Sequence, residues 1–465
     1  DVVLLPDNDA PGRKHVKDVA AKLYGTPKRI RILELHGLKS KGDVSDFISN
    51  GVTMEQIVSL AEKAATWKPP DDSPNTGNDK SSEDILSYER NDRGASSVLK
   101  NSFCADVRFN PDRLNSWFLW NGQRWQRDET RAVYEYFDSL IHDIIEKANK
   151  SNGETRTQLF RWAAYLSNDR SQNSALAYAS KNYHELKIEF SKLDSDPFLL
   201  NCLNGSVDLR TGELRPHRRE NYITRICPVE YRPGIQSQTW NDFLDTVLPD
   251  LDVRRYIQKA AGYSLCGDVS EEKLFFCYGP PATGKSTFLG ALQNVLADYA
   301  IVTDFTSFLA SKMRDTGPRS DIAKLSGYRF VSSIEVEDGQ HLAEGLLCML
   351  TGGDKVRSRF LYQESFEYKP TFKIWLAANN RPDVSSGESA LWRRLKLLPF
   401  DVAIPEVERD PNVKRILQDA TLSGAAILSW LVEGFLLWQK EGLRKEPDAV
   451  KALTEEYRQE WFRLL

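Results

Sequence analysis

One short segment constrains this chain more than any other, because it requires a strand, a tight loop and a helix in that order. The apolar run Leu274–Tyr278 leads into Gly279–Thr287, which fits the pattern G-x-x-x-x-G-K-[ST]. Apolar residues then recur at helical spacing over residues 288–296. The segment therefore predicts a buried parallel strand and a phosphate-binding loop at the start of a helix.

The glycines, the lysine and the serine of this loop each suit the binding of a nucleoside triphosphate. Its backbone N–H groups surround the phosphates, and a side chain at the glycine positions would obstruct them. Lys285 supplies positive charge to the β- and γ-phosphates, and Ser286 offers a hydroxyl to Mg²⁺. We therefore expect ATP and Mg²⁺ as ligands; a purely structural glycine-rich turn is the alternative. The expected binding residues are Gly279, Pro280, Pro281, Ala282, Thr283, Gly284, Lys285, Ser286 and Thr287.

Polar residues follow two later predicted strands. The strand over residues 329–334 ends at Glu335, with Glu337 two positions further on. A carboxylate at the end of the strand beside the loop strand can hold Mg²⁺ and activate the attacking water, so Glu335 is the first candidate and Glu337 the second. The strand over residues 373–378 ends at Asn379, whose amide can hold the attacking water or sense the γ-phosphate; Asn380 could substitute. For the two acids, a solvated loop is the alternative.

Two consecutive arginines, Arg393 and Arg394, precede the last predicted strand of this region. In a ring-shaped ATPase an arginine reaches into the neighbouring subunit's site and stabilises the charge of the transition state. Arg394 is the first candidate for this role and Arg393 the second. The alternative is a pair of surface arginines.

A basic segment lies between the candidate acid and the candidate amide. Its cationic residues are Lys355, Arg357, Arg359 and Lys369, and its aromatic residues are Phe360, Tyr362 and Tyr368. The net charge of the chain is −4, so any attraction for nucleic acid must come from such local patches. The pattern predicts a hairpin that contacts single-stranded DNA, with a solvated face as the alternative.

The chain divides by composition into five predicted regions. They are an α/β segment at 1–68, a polar linker at 69–92, a mixed domain at 93–232, the nucleotide-binding domain with its leading helices at 233–402, and a helical region at 403–465. Hairpins are expected at 117–125 and 205–214. The apolar stretch 425–438 is expected to be a buried helix, too short to span a bilayer. The six cysteines are scattered without a CxxC pair, which is typical of a reducing cytoplasm.

These landmarks, in this order, resemble the phage and plasmid primase–helicase family, which includes the poxvirus primase–helicase. The resemblance covers about residues 93–462 and includes 205–214, 265–268, the phosphate loop, 323–329, 352–354, Asn379 and 392–394. The ATPase core is similar to superfamily 3 helicases, an AAA+-like group. The resemblance implies hexameric rings that translocate 3′ to 5′ on single-stranded and forked DNA, in the cytoplasm of a bacterial host. A replication initiator or polymerase is the implied partner, and no membrane is.

The N-terminal segment resembles the end of a TOPRIM primase fold. Residues 6–13 are similar to its Asp-x-Asp metal motif, and residues 41–46 to a later family signature. Asp7 and Asp9 share one face of an extended segment and could hold Mg²⁺. The family's catalytic glutamate lies on an earlier strand, so we expect only part of a TOPRIM domain, no primer synthesis by this polypeptide alone, and a fragment of a longer protein.

The expected fold is α/β. It is an AAA+-like P-loop ATPase with a parallel central sheet, preceded by a mixed α/β domain and a partial TOPRIM fragment, and followed by a helical region. The expected function is that of an ATP-dependent replicative DNA helicase. A ring ATPase that loads or remodels replication proteins at an origin is the alternative, because it would use the same nucleotide chemistry. The long flanking helical regions and the arginine pair argue against a third possibility, a small-molecule P-loop kinase.

Overall fold

The computed structural model describes most of the chain as two compact units, Asp1–Glu83 and Asp84–Leu465. The described residues are 2–5, 16, 30–33, 85–112, 114–310, 319–334, 340–361, 364–384 and 390–464. In the first unit, β1 (Val2–Leu4) pairs in parallel with β2 (Ile30–Ile32). Parallel neighbours need a crossover connection, which agrees with the α/β pattern predicted for this segment.

The first part of the second unit contains, among its described residues, four α-helices and two small antiparallel sheets. Its elements are α1 (Asp92–Phe103), β3 (Val107–Asn110), β4 (Ser116–Trp120), β5 (Trp125–Arg127), α2 (Glu135–Lys150), α3 (Gly153–Leu166), α4 (Asp169–Asn182), β6 (Leu199–Cys202), β7 (Gly205–Asp208) and β8 (Glu213–Arg215). Both predicted hairpins are present, as β4–β5 and β7–β8. Trp125 is fully buried, and its indole N–H donates to the Arg219 carbonyl at 2.8 Å. This tryptophan therefore packs in the core.

The remainder is built around a parallel sheet. Its elements are α5 (Gln238–Val247), α6 (Leu251–Tyr263), β9 (Leu274–Tyr278), α7 (Lys285–Leu296), β10 (Ala300–Val302), α8 (Ser320–Ala323), β11 (Phe330–Ile334), α9 (Glu344–Thr351), β12 (Val356–Ser358), β13 (Phe366–Tyr368), β14 (Lys373–Ala378), α10 (Leu391–Arg394), β15 (Leu395–Pro399), α11 (Pro411–Gln418), α12 (Ala420–Glu441) and α13 (Asp448–Leu464). The predicted α/β class, with a parallel sheet and a helical C-terminal region, is confirmed.

The five strands of the sheet run in the order β10–β11–β14–β9–β15, all parallel. Successive residues of β9 enter opposite cores: Phe275 packs in the core that contains α6, α7 and α12, and Phe276 in the one that contains α9. Both faces of the strand are covered, so its sequence is a continuous apolar run. The prediction that β11 lies directly beside β9 is wrong, because β14 lies between them. The order of strands along the chain does not fix their order in a sheet.

Helix α12 is longer than predicted. It has 22 residues and is long and apolar enough to cross a membrane by length and composition, so the prediction that it is too short was wrong. Its packing is that of a core helix. A Cβ atom at Gly434 would lie 2.2 Å from the Gln258 carbonyl oxygen, and one at Gly262 would lie 2.1 Å from the Phe435 nitrogen. The glycines thus allow α6 and α12 to approach at backbone distance.

Candidate active site

The carboxyl ends of the parallel strands open into a cleft of ≈ 700 Å³. Lys285 and Ser286 line one side, and Asn379 and Asn380, which follow β14, line another. The end of β10 and the residues that follow it, 302–306, form the outer wall. The structure therefore brings together three residues that the sequence predicted to cooperate, Lys285, Ser286 and Asn379. The crevice outside the carboxyl ends of the strands is where open α/β sheets bind ligands.

The predicted acids lie outside the described residues, as do Asp7 and Asp9 of the first unit. Ile334, the last residue of β11, lines the cleft, and Glu335 follows it in the sequence. The outer wall was not found from the sequence. Thr303 and Asp304 carry no motif, and only the sheet order shows that they face the loop.

The loop before α7 depends on two glycines in backbone conformations that other residues avoid. Gly279 has φ 154° and Gly284 has φ 84°. A Cβ atom at Gly279 would lie 2.0 Å from the Phe400 carbonyl oxygen, and one at Gly284 would lie 2.7 Å from Cγ1 of Val247. The glycines are therefore needed for the loop to pack against the chain after β15 and against α5.

Lys285 is the charged centre of this loop. Its ammonium donates to the carbonyls of Gly279 and Pro280, both at 2.7 Å, and to the Thr283 hydroxyl at 3.1 Å. Its side chain is buried, and burial lowers its pKa from the ordinary value. Gly284 offers no side-chain cap to the first N–H groups of α7. A cation and uncapped amides at one helix start favour an anionic ligand.

Arg381 is a second cation near the cleft that the sequence did not single out. It lies two residues after Asn379, with its guanidinium 4.4 Å from the Tyr278 ring centre. It pairs with Glu456 at 3.1 Å and Glu460 at 2.5 Å on α13. Since Tyr278 ends β9 immediately before the loop, Arg381 links the loop strand, the Asn379 segment and the C-terminal helix. Nothing in its local sequence indicates these distant partners.

The arginine pair lies at the amino ends of the strands, whereas the loop lies at their carboxyl ends. Leu395 of β15 pairs with Leu274 of β9, and Pro399 pairs with Tyr278. At about 3.3 Å per residue, the start of β15 lies about 13 Å from the end of β9. An arginine side chain extends about 7 Å, so Arg393 and Arg394 do not reach the loop of the same chain.

The two arginines have different surroundings. Arg394 donates to the Glu272 carboxylate at 2.8 Å, and its side chain is 12% exposed. Arg393 is exposed, and it forms no ion pair with any residue that the structure describes. Arg393 is therefore the more accessible of the two to another molecule.

The predicted basic hairpin exists as β12–β13, with Arg357 directly opposite Glu367. All four predicted cations, Lys355, Arg357, Arg359 and Lys369, are exposed. Their positive charge is partly offset by Glu367, which is also exposed.

The aromatic residues of the hairpin differ from the prediction. Tyr368 is buried, and its hydroxyl donates to the Ile322 carbonyl at 2.8 Å, so it is not a stacking surface. Phe360 stacks on Phe366 with ring centres 5.7 Å apart. Tyr362 lies outside the described residues. A strand with one buried face explains why alternate residues of the hairpin point into the core.

Comparisons with known proteins place a family domain in the first part of the second unit. Residues 96–249 match the "D5 N terminal like" domain family. The match overlaps the mixed domain predicted at 93–232.

The relatives are viral proteins named as putative helicases or primases. The chain is 27% identical over 376 residues to "Putative helicase L207/L206" of Acanthamoeba polyphaga mimivirus, covering 74% of this chain and 39% of the relative. It is 24% identical over 267 residues to "Putative helicase 121R" of Invertebrate iridescent virus 3, covering 54% and 28%. "Putative primase C962R" of African swine fever virus (isolate Tick/Malawi/Lil 20-1/1983) is 21% identical over 299 residues, covering 62% and 30%. The chain thus spans well under half of the length of each of these relatives.

A structural neighbour is the apo C-terminal region of NrS-1. It has a TM-score of 0.48 and 11% identity, covering 79% of this chain and 75% of that one. Together, the domain match and the viral relatives confirm the predicted resemblance to a primase–helicase family.

Proposed function

We propose that this relative of the viral primase–helicases is an ATP-dependent replicative DNA helicase. It hydrolyses ATP between the subunits of a hexameric ring and translocates 3′ to 5′ on single-stranded DNA, separating a forked duplex. The observation that carries the proposal is the convergence of Lys285, Ser286 and Asn379 on one cleft, in a fold that also carries an exposed basic hairpin.

The residues of the cleft fit a nucleoside triphosphate with Mg²⁺. The glycine loop and the uncapped start of α7 suit the phosphates, and Lys285 would exchange neutral carbonyl partners for charged ones. Ser286 and Glu335 would hold Mg²⁺, which neutralises charge on the β- and γ-phosphates. Asn379, which lines the same cleft, would orient the attacking water or contact the γ-phosphate.

The arginine pair supports hydrolysis at a seam between subunits. A side chain about 13 Å from its own loop can stabilise a transition state only in a neighbouring copy. A ring of identical subunits repeats this head-to-tail contact at every seam. The hairpin supplies exposed cations for the phosphates of a DNA strand.

We also propose a second metal site and a cellular location for this protein. Asp7 and Asp9 of the TOPRIM-like segment would hold a further Mg²⁺. The protein works in the cytoplasm of its host cell, in contact with an initiator or polymerase. The six cysteines, which are free thiols, suit such a reducing compartment.

The first test is ATP-driven unwinding of a forked duplex. Lys285→Ala should abolish both ATPase activity and unwinding, whereas Lys440→Ala, an exposed lysine on α12, should leave both unchanged. ATPase activity that single-stranded DNA does not stimulate, together with no unwinding, would contradict a helicase.

The second test separates a helicase from a ring ATPase that remodels proteins. Charge reversal of the three hairpin cations Lys355, Arg357 and Arg359 should weaken binding to single-stranded DNA and flatten its salt dependence by about 2 in log–log slope. The matched control reverses three exposed cations outside the hairpin, Lys440, Arg444 and Lys445. If both triple variants bind DNA alike, the hairpin is not the DNA contact and the remodelling function is favoured.

A further inference from the structure

We propose that Arg319 is a positioning residue that connects the nucleotide cleft to the DNA-binding hairpin. The inference rests on the proposed function, because it assigns ATP to the cleft and DNA to the hairpin. It adds a physical link between the two, built from side chains that no motif identifies.

On the cleft side, Arg319 contacts the outer wall. Its Nη2 donates to the Ser307 carbonyl at 2.7 Å. Ser307 belongs to the 3₁₀ helix Phe305–Phe308, whose Phe305 and Thr306 line the cleft. The Ser307 hydroxyl also lies 3.3 Å from that of Thr303, another residue of the same wall. A displacement of this wall would therefore act directly on the partner of the guanidinium.

On the hairpin side, the segment that begins at Arg319 is bonded to both strands. The Ser358 hydroxyl of β12 donates to the Arg319 carbonyl at 2.9 Å. The Tyr368 hydroxyl of β13 donates to the Ile322 carbonyl at 2.8 Å, and the Leu361 N–H donates to the Ser320 hydroxyl at 3.2 Å. Residues 319–322 thus follow the hairpin as one piece.

The guanidinium is held in a fixed orientation between the two sides. Asp321 accepts from its Nε at 3.1 Å and from its Nη2 at 3.0 Å, and the arginine side chain is 21% exposed. Hydrogen bonds from a charged donor are stronger than neutral ones, and a two-point contact adds directional specificity. A guanidinium that is fixed in this way can transmit a shift of Ser307, whereas a freely rotating side chain would absorb it.

The experiment measures the affinity for fluorescent single-stranded DNA with and without a non-hydrolysable ATP analogue, using Arg319→Met. Allosteric coupling commonly amounts to a five-fold or greater change in affinity, so we expect the wild-type dissociation constant to shift at least about 5-fold and that of Arg319→Met to shift by close to 1-fold. DNA affinity without the analogue should stay within about 2-fold of wild type, because residues 319–322 keep their own bonds to the hairpin.

Arg219→Met is the matched control. Arg219 pairs with Asp106 at 2.7 Å, with side-chain exposures of 23% and 27%, close to the 21% and 30% of Arg319 and Asp321. It should keep the wild-type shift. Ser358→Ala removes one of the three hydrogen bonds between residues 319–322 and the hairpin, so it should reduce the shift without abolishing it, because the bonds of Tyr368 and Leu361 remain. The double variant should lose no more of the shift than Arg319→Met alone.

The outcomes separate the two proposals. If the wild type shows the shift and both Arg319→Met and Ser358→Ala retain it, the link is wrong and the helicase proposal stands. If the wild type binds DNA with no shift at all, coupling between the sites is absent and the helicase proposal fails first. Should Arg319→Met fail to fold, as judged by its thermal melt, Ser358→Ala decides the matter alone.

Discussion

Two inactive variants of this protein should restore each other's ATPase activity when their subunits share a ring. The first is Lys285→Ala, which removes the cation of the loop. The second is Arg393→Ala, which removes a cation that lies too far from the loop of its own subunit to act there. Each variant should be inactive alone, with the arginine variant slower by about a thousandfold or more.

The expected recovery of ATPase activity depends on the fraction of subunit interfaces that carry both residues. A competent seam needs Lys285 from one subunit and the arginine from the next. In a random ring made of equal amounts of the two variants, each requirement is met with a probability of about one half, so about one quarter of the seams are intact. Steady-state ATPase activity should therefore rise from near zero to about one quarter of the wild-type rate.

The assay mixes the variants under conditions that exchange subunits, with Lys285→Ala titrated into wild type as a companion. If the subunits of a ring must hydrolyse ATP in sequence, the recovered activity is smaller than one quarter. In that case the ATPase activity in the titration falls faster than the fraction of wild-type subunits. No recovery together with strictly proportional loss would show that each subunit completes its own site, and would refute the reasoning.

The same assay distinguishes the two arginines. Arg394 is bonded to Glu272, so it can act by holding α10 in place. If its role is only structural, Glu272→Gln should reproduce much of the loss seen in Arg394→Ala. If Arg394 is instead the residue that acts across the seam, Arg394→Ala should complement Lys285→Ala and Glu272→Gln should remain nearly active.

Three further predictions concern stability. Gly284→Ala should lower the free energy of unfolding, measured by urea titration, by about 1–3 kcal/mol more than Gly122→Ala does. Both glycines have positive φ, but only at Gly284 would the added Cβ meet a neighbour. Equal losses in the two variants would contradict the close packing. Arg381→Met should lower the free energy of unfolding by about 1–3 kcal/mol, since a shielded cation–π contact and two ion pairs with half-exposed carboxylates are lost. It should also raise the KM for ATP. An unchanged thermal melt and an unchanged KM would disprove the link to the loop. Burial lowers the pKa of Lys373 to about 8 from 10.5, so the unfolded chain binds more protons than the folded one between these pH values. The free energy of unfolding should therefore rise with pH in this window, by on the order of 3 kcal/mol relative to Lys373→Met. Parallel profiles of unfolding free energy against pH for the two proteins would contradict this.

Local chemistry made the loop and its strand predictable. The strand Leu274–Tyr278 is apolar because both of its faces are buried, and the glycines that follow meet steric demands that no other residue satisfies. Such requirements act within a few residues, so a single sequence displays them. The antiparallel hairpins were predictable for the same reason.

Tertiary structure decided which distant residues share the cleft. Only the sheet order shows that β14 separates β11 from β9, and that Thr303 and Asp304 face the loop. Arg319 contacts Ser307 and Ser358 on other elements of the fold, and Arg381 pairs with two carboxylates of α13; these contacts arise from packing that leaves no periodic pattern. The sequence alone therefore determined the strand and the glycine-bounded loop that follows it, because both are set by neighbouring residues. The links between loop, hairpin and C-terminal helix come from the three-dimensional arrangement, because they join side chains that are far apart in the chain.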